Sequence, residues 1–180
     1  MAELISKTYA LALFEAGLDL GKVNEFNKEL DFLKDVFEGE RKLLQILSHP
    51  KINKIEKKDI LDKLFKEKIS LEMLNFLYIL IDKRREAYIL EIVEQYKGLF
   101  NEHENIVKVV ALSAVPMEEK SKSKLATVLS NKLNKKIELI NEVDNSIIGG
   151  VLLKMENKIM DGTLKGQLES IGKIISGATN

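Results

Sequence analysis

Residues 145–166, NSIIGGVLLKMENKIMDGTLKG, set four glycines around an apolar run and place Asp161-Gly162-Thr163 just ahead of a helix-like segment. Glycine beside a helix start is an arrangement that holds phosphate, because unpaired backbone N–H groups converge there. Spacing decides against it. The nearest approach to a P-loop, Gly166 followed by Gly172-Lys173, has five intervening residues instead of four, with Ile174 where a magnesium-binding hydroxyl belongs. Asp144, Ser146 and Gly149 imitate the opening of a calcium loop, but Ile148 and Met155 occupy positions that need oxygen ligands. The stretch reads as architecture. Gly149-Gly150 relaxes the backbone where a turn enters a strand, and Asp161-Gly162-Thr163 turns a hairpin into a capped helix.

The remaining chemistry-bearing residues are few. There is no cysteine, which removes thiolate nucleophiles, disulfides and Cys-based zinc sites together. His49 precedes a proline in a loop, and His103 sits between two glutamates near a helix end, where a cation is favoured in any case. With no GxSxG sequence and no paired histidines, no constellation for nucleophilic or metal chemistry is present. Lys83-Arg84-Arg85 is a short basic run at a helix junction, read as a solvated cluster that also compensates the carbonyls of Ile81 and Asp82.

The elements that would position any site follow from periodicity. Up to residue 104 the chain reads as helix after helix. Val23, Phe26, Leu30, Leu33 and Phe37 recur at helical spacing, a short helix over 40–47 stops at Ser48-His49-Pro50, and Asn53 with Glu56 forms a capping box for a helix reaching about Lys66. Ser70 caps a helix over 71–83, and another runs over 86–103. Six helices with short loops make a bundle. After Asn105 the period changes. IVKVVALSAV is β-branched and ends at Pro116, a helix follows from Met117, KIELINEV alternates with Ile137, Leu139 and Ile140 as inward candidates, and two short strands flank Glu156-Asn157 as a hairpin whose turn type stays open. Thr163 or Asp161 caps a last helix carrying Leu164, Leu168, Ile171 and Ile175. The fold class is therefore mainly α: a six-helix bundle over 1–105 followed by a small α/β domain over 106–180.

Composition bounds the function. The formal net charge is zero, with 28 basic and 28 acidic residues, which disfavours a nucleic-acid binder working by phosphate neutralisation. The longest unbroken apolar run, Phe76 to Ile81, is far too short to span a bilayer, and the acidic N-terminus makes a poor signal peptide. A soluble protein without direct membrane insertion is expected.

The sharper signal is apolar residues in the wrong place. On a helical wheel of residues 4–20, Leu11, Phe14 and Leu18 form one stripe. Ile5, Tyr9, Ala12, Leu13, Ala16 and Leu20 form another. Glu3, Ser6 and Lys7 lie on one divide, and Glu15 and Asp19 on the other. A helix at the edge of a bundle needs only one buried stripe. On the helix over 71–83, Met73, Leu74, Phe76, Leu77, Tyr78, Leu80 and Ile81 make a broad core face, while Ile79 falls on the opposite side among Asn75, Asp82, Glu72 and Lys83. Either both helices are buried all round and Ile79 is a stray surface residue, or the two border a groove for an amphipathic partner helix.

Four stretches together resemble one known family. YALALF at 9–14, LSHPKI at 47–52, FLYILIDKRREAYILEIVEQY at 76–96 and GGVLLKMENKIMDGTLKGQL at 149–168 stand in the order found in the delta subunits of bacterial rotary ATP synthases, related to the mitochondrial oligomycin-sensitivity-conferring protein. Thr163 replaces the commoner Ser, and the hairpin lacks a frequent glycine. The resemblance implies a non-catalytic subunit without cofactor or metal. Its bundle would grip the N-terminal helix of an alpha subunit through a groove between its first and fifth helices, and its smaller domain would bind the b subunits. The whole would form a peripheral stalk that stops the catalytic head turning with the rotor, at the cytoplasmic face of the plasma membrane. Tyr9, Ala12, Asn75 and Ile79 match the family's contact positions, and the wheel adds Ala16 and Asp82. A helical adaptor unrelated to energy coupling is the alternative, and a small nucleotide-dependent enzyme a third reading. If the change of period marks a domain boundary, a fragment of residues 1–105 refolds alone with helical circular dichroism. An unfolded fragment contradicts that division.

Overall fold

Helix-spaced apolar residues give way to β-branched ones at Ile106, and the backbone changes with them. The structure, a computed structural model, describes residues 2–155 and 158–177, without the side chains of 2, 41 and 172–177. In order the elements are α1 (Ala2–Leu20), α2 (Val23–Gly39), α3 (Arg41–Ser48), α4 (Lys54–Phe65), α5 (Leu71–Asp82), a 3-10 turn (Glu86–Tyr88), α6 (Ile89–His103), β1 (Ile106–Ser113), α7 (Glu119–Leu133), β2 (Lys136–Val143), β3 (Gly150–Met155), β4 (Lys158–Thr163) and α8 (Leu164–Gly177). The chain is thus mainly helical, with a small four-stranded sheet toward its C-terminus. Packing divides it into Met1–Phe100 and Asn101–Asn180.

In the first unit the apolar spacing of α2 is realised residue for residue: Val23, Phe26, Leu30, Leu33 and Phe37 are all buried. Tyr96 of α6 is wholly enclosed; its ring meets Phe14 of α1 edge-on at 5.6 Å, and its hydroxyl donates to the Val23 carbonyl at 3.1 Å. One side chain thereby ties α6 to both α1 and α2. Phe65 of α4 packs against Phe32 and Phe37 of α2.

Polar contacts fix where helices begin and end. Asn53 and Glu56 form the expected capping box, with Asn53 Oδ1 accepting from the Glu56 amide at 2.9 Å. Ser70 Oγ accepts from the Met73 amide and donates to Glu29 Oε2 at 2.9 Å, while the Ser70 amide donates to the other oxygen of the same carboxylate, so α2 sets the start of α5. At the end of α5 the backbone of the basic run itself closes the helix. Arg84 adopts the left-handed conformation (φ 56°), its amide donates to the Ile81 carbonyl, and the Arg85 amide reaches Leu80 at 2.7 Å. This is the backbone closure usually built with glycine. The Asp82 carbonyl accepts from Lys54 Nζ of α4. The helix expected over 86–103 accordingly opens as a 3-10 turn, in which Glu86 is buried against Lys57 of α4.

In the second unit β1, α7 and β2 form a βαβ element, β1 and β2 being parallel, and β3 and β4 add antiparallel strands in the order β2-β1-β3-β4. Val107, Val109, Ala111, Leu153 and Met155 point to one face with Leu129 of α7, and Ile137 and Leu139 pack beside them. Ile140, one residue out of step, belongs to the other face, as the two-residue period of a strand requires. The Glu156-Asn157 turn lies outside the described residues.

The glycine-rich stretch is a backbone clamp. Gly150 has φ +83°, and a Cβ there would stand 2.3 Å from the Gly162 carbonyl oxygen. Asp161 Oδ1 accepts from the Thr163 amide at 2.8 Å, and Thr163 Oγ1 accepts from the Gly166 amide at 3.1 Å, so it is the threonine hydroxyl that meets the first turn of α8. A side chain at Gly166 would collide with the Asp161 carboxylate. Gly150→Val is expected to cost about 1–3 kcal/mol by combining a disfavoured φ with a backbone clash. Gly149→Ala, whose Cβ meets only the movable end of Leu164, should cost less. Urea unfolding of the two variants compares them directly.

Burial pushes the Tyr96 phenol up to about 12, and burial followed by the hydrogen bond to Asp62 does the same to Tyr78. A folded value above the ordinary 10 means that the stabilisation is complete below about pH 10 and is lost as pH rises toward 12. Tyr78 and Tyr96 should therefore ionise late in a phenolate absorbance titration of the native protein, and Tyr96→Phe should remove one late-ionising group.

Candidate partner-binding face

α1 is buried along Ser6, Ala10, Leu13, Phe14 and Gly17. This stripe runs between the two apolar stripes of the wheel and takes one flank from each. Ser6, expected on a polar divide, is only 1% exposed. It is small enough to let α1 approach α6, and its hydroxyl donates to Glu91 Oε2 at 3.4 Å. Gly17 serves the same purpose further along, since a Cβ there would press on Phe26 at 3.2 Å. With this seam buried, the two flanks of α1 are left outward. Tyr9 is half-buried and Ala12, Ala16 and Leu20 are exposed on one side; Leu4, Leu11 and Leu18 are exposed on the other.

The first flank lies beside α5. Tyr9 meets Phe76 edge-on at 6.4 Å. Lys22, just past α1, pairs with Glu72 near the start of α5 at 2.9 Å. The 3-10 turn that follows α5 touches α1, as does Glu91 through Ser6. The two helices therefore run antiparallel.

The outward side of α5 carries Leu71, Asn75, Ile79 and Asp82, all exposed, while Met73, Leu74, Phe76, Leu77, Leu80 and Ile81 are buried. Ile79 is 48% exposed, close to the wheel reading that set it apart from the core face. At 100° per residue Ile79 and Asn75 lie on the side of α5 nearer the Phe76 contact with α1, and Asp82 lies further round toward α4. Tyr9, Ala12, Ala16, Asn75 and Ile79 thus come together on one face.

Asp82 stands at its rim and is already engaged. Its carboxylate accepts from Lys58 Nζ at 2.8 Å, and this hydrogen bond, more than any other influence, holds the carboxyl below its usual range. Lys58 also lies 5.4 Å from the Tyr78 ring, whose hydroxyl donates to Asp62. At the other end the hydrogen bond between Lys22 and Glu72 lowers the carboxyl and raises the ammonium.

Two apolar contributors were missing from the sequence reading. Leu71, 68% exposed, extends the α5 side by one turn ahead of Asn75, and Leu4 completes the second flank of α1. The seven-residue spacing of Leu4, Leu11 and Leu18 was the available signal for the latter.

Elsewhere the helical unit has a cleft of about 440 Å³ lined by Pro50, Lys51, Lys54, Arg84 and the Lys57–Glu86 pair. Its one carboxylate is committed to a buried lysine. Among the described residues no group of three or more His, Asp or Glu could hold a metal ion, and no helix is long and apolar enough to cross a membrane. In the second unit Leu164, Leu168 and Ile171 line one side of α8 and are each more than half exposed, as are Ile148 and Ile159.

A family model described as ATP synthase delta (OSCP) subunit matches residues 5–175. A protein of Alkaliphilus oremlandii named ATP synthase subunit delta is 44% identical over 98% of each chain. Its namesake in Alkaliphilus metalliredigens is 42% identical over 95% of each, and one in Clostridium botulinum is 35% identical over 97% of this chain and 98% of that one. Among solved structures, a chain in the cryo-EM structure of the Toxoplasma gondii mitochondrial ATP synthase hexamer has a similar fold, with a TM-score of 0.70 at 16% identity, covering 94% of this chain and 96% of that one.

Proposed function

The chain belongs to the ATP synthase delta (OSCP) subunit family, and from that membership we infer that it is a non-catalytic subunit of the peripheral stalk of an ATP synthase. Membership on this scale does not favour a helical adaptor unrelated to energy coupling. We propose that residues 1–105 act as the family's six-helix bundle, seated on the catalytic head and holding the N-terminal helix of an alpha subunit. Residues 106–180 then bind the b subunits, through the exposed apolar side of α8. The subunit so placed sits on the cytoplasmic face of the plasma membrane without entering it. Its task is mechanical: two interfaces in series carry the torque that would otherwise turn the head with the rotor.

The observation that carries the alpha-subunit reading is Ile79. It is an isoleucine half open to water between Asn75 and Asp82 on the outward side of α5, beside a flank of α1 whose alanines let another helix approach closely. Burying a whole isoleucine contributes about 1.5–3 kcal/mol. Only the exposed half remains for a partner to cover, so its direct share is about 0.7–1.5 kcal/mol, or roughly three- to tenfold in affinity.

Ile79→Asp removes that share and adds a carboxylate that must be desolvated on binding, so affinity for a synthetic alpha-subunit N-terminal peptide should fall at least about tenfold by calorimetry. The free variant should stay within about 0.5 kcal/mol of wild type. Leu77→Asp, at a site only 1% exposed, should instead unfold the unit. An Ile79→Asp protein that melts early makes the residue part of the core. One that is stable and binds the peptide normally moves the interface elsewhere.

A further inference from the structure

The face between α1 and α5 carries opposite charge at its two ends. Toward the end of the face where α1 stops and α5 begins stand Asp19 and Glu72, with Glu15 one turn nearer the middle; Lys22 pairs with Glu72 and has Glu25 and Glu29 within its electrostatic reach. Glu15 and Asp19 are exposed and lie on the turns of α1 beside Ala12 and Ala16. At the opposite end, Lys54, Lys58 and Lys83 all act on the single carboxylate of Asp82, and Lys7 is paired with Glu3. The backbone does not blur this contrast. α1 and α5 are antiparallel, so the negative end of one helix dipole lies beside the positive end of the other and the side chains decide the sign.

Between the two ends the surface is apolar or neutral: Tyr9, Ala12, Ala16, Asn75 and Ile79. We propose that this face binds its helix in one direction only, with the more basic end of the bound helix at Glu15, Asp19 and Glu72 and the more acidic end at Lys54, Lys58 and Lys83. The inference rests on the reading of this face as the alpha-subunit site. It adds that the occupant is an amphipathic helix with a charge gradient along its axis, and that charge complementarity selects its polarity. An apolar stripe alone would accept either direction, because small side chains and a single isoleucine offer little handedness. Like charges brought together at both ends would disfavour the reversed helix.

The test uses the full chain, isotopically labelled, and the synthetic N-terminal peptide of the cognate alpha subunit carrying one nitroxide at its more basic end. Amide signals around Ala16–Leu20 and Leu71–Glu72 should be broadened, while those of Lys54–Lys58 and Asp82–Lys83 stay sharp. Moving the nitroxide to the other end of the peptide should exchange the two sets. The double variant Glu15→Lys, Asp19→Lys alters two exposed residues, so the fold should persist. An exposed charge pair is worth up to about 1 kcal/mol, or roughly fivefold, so the double variant should weaken binding at least about threefold and, from the two lost attractions alone, up to about thirtyfold at low salt, with a smaller effect at high salt. Equal broadening of both sets, or unchanged affinity of the double variant, overturns the directional proposal. If Ile79→Asp abolishes binding in that same outcome, the face itself still stands as the site. If Ile79→Asp binds normally, both readings fall.

Discussion

How close α1 can lie against the rest of the helical unit governs what the unit can present. A helix of this kind normally buries its large apolar residues and turns its small or polar ones outward. α1 does part of the reverse. Its buried seam includes Ser6, Ala10 and Gly17, and Leu13 and Phe14 supply the bulk. The small positions bring its backbone toward Phe26 and α6, while Phe14 locks onto Tyr96, whose hydroxyl is spent on the Val23 carbonyl. Because so narrow a seam is enough to hold the helix, its two flanks need not be buried, and one of them comes to lie beside α5. A bulkier seam would push α1 outward and open the Tyr9–Phe76 contact on which that face is built.

The position of α5 is fixed by polar contacts at both ends more than by its length. Glu29 grips Ser70 by amide and hydroxyl at the start. At the finish, Lys54 and Lys58 of α4 reach the carbonyl and carboxylate of Asp82, and Arg84 closes the helix in a left-handed conformation. Asp82 is thereby a strut first. Its carboxylate is occupied by Lys58, so a partner approaching that rim meets a compensated pair with Lys54 and Lys83 beside it, and not a bare negative charge.

Much of this was legible in the sequence, and what was not has physical causes. Capping by Asn53 and Ser70 could be read because those side chains bond to backbone three residues away, a purely local matter. Ile79 could be read because α5 is long enough for its period to separate one residue from the rest. Ser6 could not: a serine is buried only when another element supplies a partner for its hydroxyl, and Glu91 is 85 residues distant. How α5 closes could not be read for a similar reason: the left-handed turn at Arg84, the Arg85 amide and a lysine from α4, 28 residues away, bond to its last carbonyls. The Tyr9–Phe76 contact that joins the two halves of the face depends on how α1 and α5 pack, which no local pattern encodes; the helical wheels left the groove as one of two readings, and the family resemblance favoured it.

A stator subunit must resist load for as long as the complex turns, and this sets demands that differ from those on a signalling adaptor. Residence time is governed by dissociation, and dissociation by desolvated contacts that must all part at once. A stripe such as Tyr9, Ala12, Ala16 and Ile79, continued by Leu20 and Leu71, has that character. Exposed charges contribute little to residence, because water and salt replace them readily, but they act at a distance before contact is made and penalise the wrong arrangement. On this face the small and apolar residues form a continuous stripe that runs on to Leu20 and Leu71, and the charged residues stand along its edges and toward its ends. On the reading proposed here, the stripe supplies endurance under torque and the charges supply orientation during assembly. Neither task calls for a nucleophile, a metal or a bound cofactor. That fits a sequence whose only phosphate-like motif turned out to be the clamp of Gly150, Asp161 and Thr163 that leads β4 directly into α8.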